Sequence, residues 1–328
     1  MYRYYEKDGY EIMYYRFDSV TEYIDYLTTT SINKRKFPNP ESISGNYSFC
    51  KTKSFEEALE LMKYGYHEDF EKLMELKITL EKYIKLTNKR SKQFNYYVGY
   101  VPDVKAYLEG NPLSMINKEK KVREKIDIYI NTSYSGGTSS SAIFNRGAIV
   151  LTLIEILESL GYNVDLHLFE MSAIGNQVHY SDFILKKETE RINPQKLYFP
   201  LCHPSWIRRL NFRLIEATPN INYNWDDSYG YPSNLSTMKK WIDLKNNDII
   251  IPTIQEIGIK GNNIVNDTNR LFNYINSLSE KDFELKEIDK EETQNIDTAY
   301  SNGCVISLKP TKYIKKRKII WKLNNIMV

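Results

Sequence analysis

The sequence predicts an α/β protein, a doubly wound sheet preceded by a mainly helical N-terminal region, and three observations carry that prediction. Residues 125–131 (KIDIYIN) alternate, with Ile126, Ile128 and Ile130 on one side, which is the period of a buried strand. A polar, glycine-bearing loop runs from Asn131 to Ser141, and Ile149, Leu153, Ile156 and Leu160 then recur at helical spacing up to Gly161, a residue suited to end a helix. Val164, Leu166, Leu168 and Phe169 supply a second strand. Strand, loop, helix and strand make one βαβ unit. Its functional surface is expected at the carboxyl end of the first strand, where Asn131, Ser133 and Ser135 sit.

The other elements follow in chain order. Residues 1–30 alternate aromatic and polar positions and then give a short amphipathic helix through Val20, Tyr23, Ile24 and Leu27. The stretch 33–46 carries Pro38, Pro40 and Gly45 and reads as an exposed loop, its Lys34-Arg35-Lys36 triplet as a solvated face. Ser54 with Glu57 three residues on is a capping-box signature for a helix. Past Gly65 a second helix is expected over about 67–89, with Phe70, Leu73, Leu76, Leu80 and Ile84 on one face.

Residues 94–102 read as a strand, 103–110 as a short helix and 118–125 as a charged linker. After the central unit, 172–181 reads as polar and irregular, 182–186 and 198–201 as strands, and 205–217 as a helix opened by Pro204 and followed by Pro219. A long polar-aromatic loop spans 220–236, and loops of that length inside a domain are usually functional or disordered. The run 248–254 (DIIIPTI) is the clearest apolar strand of the second half, and 266–278 the last helix. Alternation from about 125 to 280 favours the doubly wound sheet. The chain is therefore divided into a helical region with a short strand (1–120), an α/β core (121–285) and a basic C-terminal extension (286–328).

Composition excludes several classes. With 328 residues the chain can bury a substantial core. Its 45 basic residues against 42 acidic ones give no global charge that points to nucleic acid. Cys50, Cys202 and Cys304 lie far apart without a CxxC, which argues for a reducing compartment and against a disulfide scaffold or a structural zinc site. The N-terminus is charged and lacks the apolar centre of a signal peptide. No run has the 18 or so apolar residues that a membrane span requires, so a cytoplasmic protein without a membrane partner is expected. The 27 tyrosines have two readings, an AT-rich genome or a Tyr-rich recognition surface.

Asn131-Thr-Ser133-Tyr-Ser135 has the spacing of a D-x-S-x-S loop with its first residue changed, and strand, loop, long helix and strand together resemble a von Willebrand factor A domain. The resemblance implies a divalent cation, Mg²⁺, on the hydroxyls of Ser133 and Ser135, with Thr253 and Asp226 or Asp227 as later ligands. Mg²⁺ does favour hard oxygen donors. Asn131 removes one negative charge from such a site, so the loop is expected to hold either a weakened metal or none. In the second case Asn131 and the serines cap the loop through its backbone.

Residues 54–66 (SFEEALELMKYGY), 100–115 (YVPDVKAYLEGNPLSM) and 145–166 (NRGAIVLTLIEILESLGYNVDL) resemble an uncharacterised family of phage-encoded proteins. That resemblance implies a phage origin, a place in the host cytoplasm and an A-domain-like core with a degenerate metal site. It brings no activity.

SGGTSSS lacks the G-K-[ST] of a phosphate-binding P-loop. Arg146, beside Gly147, suits either an anion or a carboxylate of its own domain. Adjacency of Cys202 and His203 does not by itself align a thiolate with a base. His167 reads as a core residue, and His179, in a polar stretch, as the better functional histidine. Arg208, Arg209 and Arg213 recur beside Trp206 and Phe212. That stripe suits single-stranded nucleic acid, or aromatic packing with ion pairs to residues such as Glu216. Lys315, Lys316 and Arg317, with Tyr313 and Trp321 nearby, form an unopposed basic cluster suited to nucleic acid.

The function expected is non-enzymatic binding of a protein partner by the loops 131–141, 172–181 and 220–236. The alternative is a single-stranded nucleic-acid-binding or transcription accessory protein using the tail and the 206–213 helix. No constellation of residues speaks for a hydrolase.

Overall fold

Strands β1 (Tyr2–Lys7) and β2 (Tyr10–Phe17) form a hairpin, because Asp8 and Gly9 both take positive φ, 51° and 80°, the two-residue turn that Asp-Gly favours. The computed structural model describes residues 1–66, 69–83, 86–88, 95–98, 101–116, 124–222, 229–234, 236, 248–278 and 283–285. Helices α1 (Val20–Thr29), α2 (Glu41–Ser44), α3 (Tyr47–Cys50), α4 (Phe55–Tyr64) and α5 (Phe70–Tyr83) follow the hairpin. The Ser54 hydroxyl accepts from Glu57 N at 3.2 Å, which starts α4 at the capping signature. The 33–46 stretch is not simply an exposed loop, since Phe37 is buried and α2 packs against the helical segment that begins at Trp206.

The helix expected over 67–89 ends at Tyr83 and is followed by β3 (Leu86–Asn88). The strand expected at 94–102 is two short ones, β4 (Asn95–Tyr96) and β5 (Val101–Pro102). Helix α6 (Val104–Leu108) follows, and β6 (Met115–Ile116) pairs with both strands.

The central unit is β7 (Lys125–Asn131), α7 (Ser140–Ser159) and β8 (Asn163–Ile174), with Gly161 at φ 93° between helix and strand. Its outcome matches the alternation in the sequence. Three later segments differ from expectation. Residues 172–181 are not irregular: β8 runs on to Ile174, turns at Gly175, and returns as β9 (Gln177–Lys186). Residues 198–201 lie in helix α8 (Pro194–Cys202), with Asn193 as N-cap and Pro194 at its first turn. A short apolar run such as LYFPL does not distinguish a buried helix from a strand. The helix after Pro204 begins as a π-turn (Trp206–Asn211) and continues as α9 (Phe212–Ala217).

Strands β10 (Tyr231–Pro232) and β11 (Ile249–Ile251), helices α10 (Ile254–Ile257) and α11 (Ile264–Ser277) and strand β12 (Phe283–Leu285), which pairs with β3, complete the described chain. Residues 1–288 cluster as one unit, and 289–328 lie outside the described residues.

The architecture is a mixed α/β fold around a central mixed sheet of order β1-β2-β9-β8-β7-β11, with β10 on the far stretch of β8. β11, β7 and β8 run parallel, β9 is antiparallel to β8, and β2 runs parallel to β9. The N-terminal hairpin therefore belongs to the same sheet as β7. Side chains alternate between two faces. On one, Phe17 and Phe183 meet Tyr23 of α1 and Trp206 of the π-turn, ring centroids 5.0–5.5 Å apart. On the other, Ile12, Phe169, Met171, Val178, Tyr180 and Ile250 make an apolar cluster.

Contrary to the expectation that no run suffices, helix α7 is long and apolar enough to cross a bilayer by length and composition, yet 72% of its apolar stretch is buried inside the protein. Gly147 sets its approach to α8. A Cβ there would stand 2.3 Å from Cys202 Sγ and 2.6 Å from Leu201 O, so only glycine fits.

Candidate functional site

β8 lies on one side of β7 and β11 on the other, so the chain reverses direction across the sheet at β7. Ligands in open α/β sheets bind outside the carboxyl ends of the strands at such a switch point. Here the loop Asn131–Thr138 and the Thr253–Glu256 turn meet there. The Gln255 amide donates to Ser135 Oγ at 3.0 Å and to the hydroxyl of Thr138. Ser139 caps α7 through Ala142 N.

Most of the loop's polar atoms are spent on its own backbone. Asn131 is wholly buried, and its Oδ1 accepts from Ser133 N at 2.9 Å. Ser133 Oγ accepts from Met171 N at 3.0 Å and donates to Met171 O at 3.3 Å, and Thr132 bonds twice to Phe169 O. Thr253 is the N-cap of α10 in a capping box with Glu256. Of the three hydroxyls expected as metal ligands, Ser133 and Thr253 thus hold protein backbone, and only Ser135 is exposed.

Two arginines flank this loop. Arg146 is 2% exposed, and its Nη1 donates to Asn131 O at 2.7 Å. Among the described residues it has no carboxylate partner, and burial pushes its pKa down to about 10. Arg208 lies over the rings of Phe49 and Phe212, 5.4 and 5.1 Å from their centroids. Its Nη2 would be 3.6 Å from a Cβ placed on Gly136. The buried Nε of Arg208 has no hydrogen-bond partner among the described residues. Both guanidinium groups act on Tyr134, whose hydroxyl donates to Pro204 O; burial outweighs them and raises its pKa.

The remaining sequence candidates are dispersed. His179 is not in a loop: it sits in β9, fully buried, with Nδ1 3.0 Å from Glu170 Oε2. Trp206 is 3% exposed and Arg209 1% exposed, so the 206–213 stripe does not present them to a base. Arg209 instead donates to the carbonyls of Ser42, Ile43, Gly45 and Thr52 at 2.9–3.1 Å, clasping the 41–52 segment. Arg213 Nη2 reaches Thr30 O at 3.3 Å, and its guanidinium covers Phe55. Glu216 accepts from Ser42 N at 2.9 Å and from the Tyr229 hydroxyl at 2.6 Å, and burial raises its carboxyl pKa. Cys202 and His203 do not form a dyad: burial raises the thiol's pKa, and His203 Nδ1 accepts from Ser205 N at 3.2 Å. Asp226, Asp227, Lys315, Lys316 and Arg317 lie outside the described residues.

A second group went unnoticed in the sequence. Register places Asp127 of β7 beside Asp165 of β8, and Tyr129 beside His167. One ligand atom each of Asp127, Asp165 and His167 lies within 4.8 Å of the others, and all three residues are buried. Lys125 Nζ reaches Asp165 at 2.7 Å and Asp127 at 3.4 Å. His167 Nδ1 lies 3.1 Å from Asp182 Oδ1, and Arg16 lies 3.5 Å from the other oxygen of Asp182. The available signal was a charged residue at the third position of two apolar strands, KID and NVD.

An open mixed sheet with its loops gathered at a strand-order reversal defines a class of α/β protein rather than an activity. Residues 5–276 match the family described as a domain of unknown function (DUF7192), and the chain belongs to that family. No curated protein and no solved structure matches the chain.

Proposed function

We propose that the chain is a non-enzymatic binding protein that receives an acidic group of a protein partner at the rim between the carboxyl ends of β7 and β11. The observation that carries this reading is Arg208. Its guanidinium is oriented by two aromatic rings beside an exposed glycine, and its hydrogen-bonding capacity is unspent within the described residues. An arginine fixed in place matches a carboxylate with less entropy to lose than a free one. Arg146 adds positive potential from below, with no carboxylate among the described residues to cancel it. The exposed hydroxyl of Ser135 and the Gln255 amide complete the rim.

The same features favour an anion over Mg²⁺. A cation on Ser133, Ser135 and Thr253 would displace backbone hydrogen bonds beside two guanidinium groups, with neutral Asn131 in place of a carboxylate. An A-domain-like, doubly wound reading of the sheet is supported by the order β9-β8-β7-β11, with β7 central and its loop at the switch point. The phage origin and host cytoplasm in this reading rest on the resemblance of the segments 54–66, 100–115 and 145–166.

The test is fluorescence anisotropy with a labelled acidic peptide, a neutral peptide and a single-stranded oligonucleotide. The acidic peptide is expected to bind, to weaken with salt, and to lose about tenfold or more in Arg208→Ala, the scale of a charge-assisted hydrogen-bonded pair. Binding of the peptide that Arg208→Ala leaves unchanged rejects the site. Preference for the oligonucleotide, with a steep salt slope, favours the nucleic-acid alternative instead.

A further inference from the structure

We propose that Asp127, Asp165 and His167 form a binding site for a divalent first-row metal ion such as Zn²⁺ or Mn²⁺, in which Lys125 holds the ion's place when none is bound. The site lies at the amino end of β7, the opposite end from the rim, and does not depend on the function proposed for that rim.

Four observations point to it. First, two neighbouring parallel strands bring two carboxylates and an imidazole nitrogen within 4.8 Å of one another, a span that one ion can bridge. Second, Asp127 is more than nine-tenths buried, and among the described residues its Oδ1 is met only by the Lys125 ammonium, 3.4 Å away. A buried carboxylate oxygen held only by a distant, half-exposed ammonium is weakly satisfied, and an ion would satisfy it better. Third, His167 carries the outer partner that metal-bound histidines use. Its Nδ1 hydrogen bond to Asp182 directs the lone pair to Nε2, and Arg16 and Asp182 are themselves paired. Asp165 is steadied in the same way by the backbone N–H of Glu188.

Fourth, the single ammonium of Lys125 lies against both carboxylates, as a bound cation would. Its side chain is 42% exposed, whereas those of Asp127 and Asp165 are 8% and 12% exposed. The lysine can therefore swing into water and open the way for an ion. One imidazole with two carboxylates suits a transition ion better than Ca²⁺ or Mg²⁺. Bound there, the ion would tie β7 to β8.

Isothermal titration of chelator-stripped, full-length protein with Zn²⁺ and Mn²⁺ tests the site. One ion per chain is expected, with affinity reduced at least tenfold in Asp165→Asn and increased in Lys125→Met, which removes the competing ammonium. The near-ultraviolet spectrum of the Co²⁺ form separates this site from Cys50 and Cys202: oxygen and nitrogen ligation gives no thiolate charge-transfer band there. No binding by either the natural protein or Lys125→Met overturns the proposal. So does binding that Lys125→Met leaves unchanged, or a thiolate band. Should Asp165→Asn not fold, Lys125→Met and the Co²⁺ spectrum still decide.

Discussion

His203 shows how one side chain can set the acid limit of this protein. It is 5% exposed, its ring lies against Phe199 and Tyr66, and its Nε2 has no partner among the described residues. Burial first, and then Lys51, hold its pKa down at about 4 against an ordinary value of 6.5. Below pH 6.5 the unfolded chain therefore takes up a proton that the folded chain refuses. The stabilisation is complete above 6.5 and is lost as pH falls toward about 4, a change of about 3 kcal/mol for one such histidine. Glu216, with its raised carboxyl pKa, works in the opposite direction. Chemical denaturation of His203→Asn at several pH values isolates the histidine: the variant is expected to be flatter between 6.5 and 4, and an unchanged slope would refute this account.

Among the elements, α7 is the most constrained, because glycine contacts and a cap fix both its side and its start. Gly147→Ala is expected to cost about 1–3 kcal/mol, since Leu201 O and Cys202 Sγ cannot both withdraw, and the loss is read as a fall in Tm. Ser139→Ala should cost about 1 kcal/mol through the lost cap. The β7–α7–β8 unit was legible because periodicity, a polar loop and Gly161 all agreed. The β8–β9 hairpin was not read, although Gly175-Asn176 between apolar runs is a turn signal, because His179 and the serines made 172–181 look solvated. Inside the sheet Glu170 accepts from the Ser172 hydroxyl and meets His179 Nδ1. The rim serines were legible as loop residues, whereas the Asp127–Asp165–His167 set depends on a register that sequence does not state.

Across the whole molecule, the sheet begins and ends with distant sequence. β2, from the first seventeen residues, lies along β9, which ends at Lys186. β1 occupies the edge, with most of its side chains exposed. A chain lacking residues 1–17 would bare the edge of β9, whose side chains are nearly all buried. Such a chain is expected to self-associate, as unpaired buried strands do, and to elute from size-exclusion chromatography ahead of the natural protein. A monomeric truncated chain would show that the hairpin is an ornament.

The clasp of Arg209 on the backbone of residues 41–52 has a temporal side. A ribosome delivers that peptide about 160 residues before the guanidinium that fastens it, and the β2–β9 pairing waits almost as long. Synthesis must therefore leave the outer edge of β2 and the 41–52 segment without these partners until β9 and the π-turn have emerged. Through that interval the aromatic edge of β2 is open to any chaperone that waits at the tunnel exit.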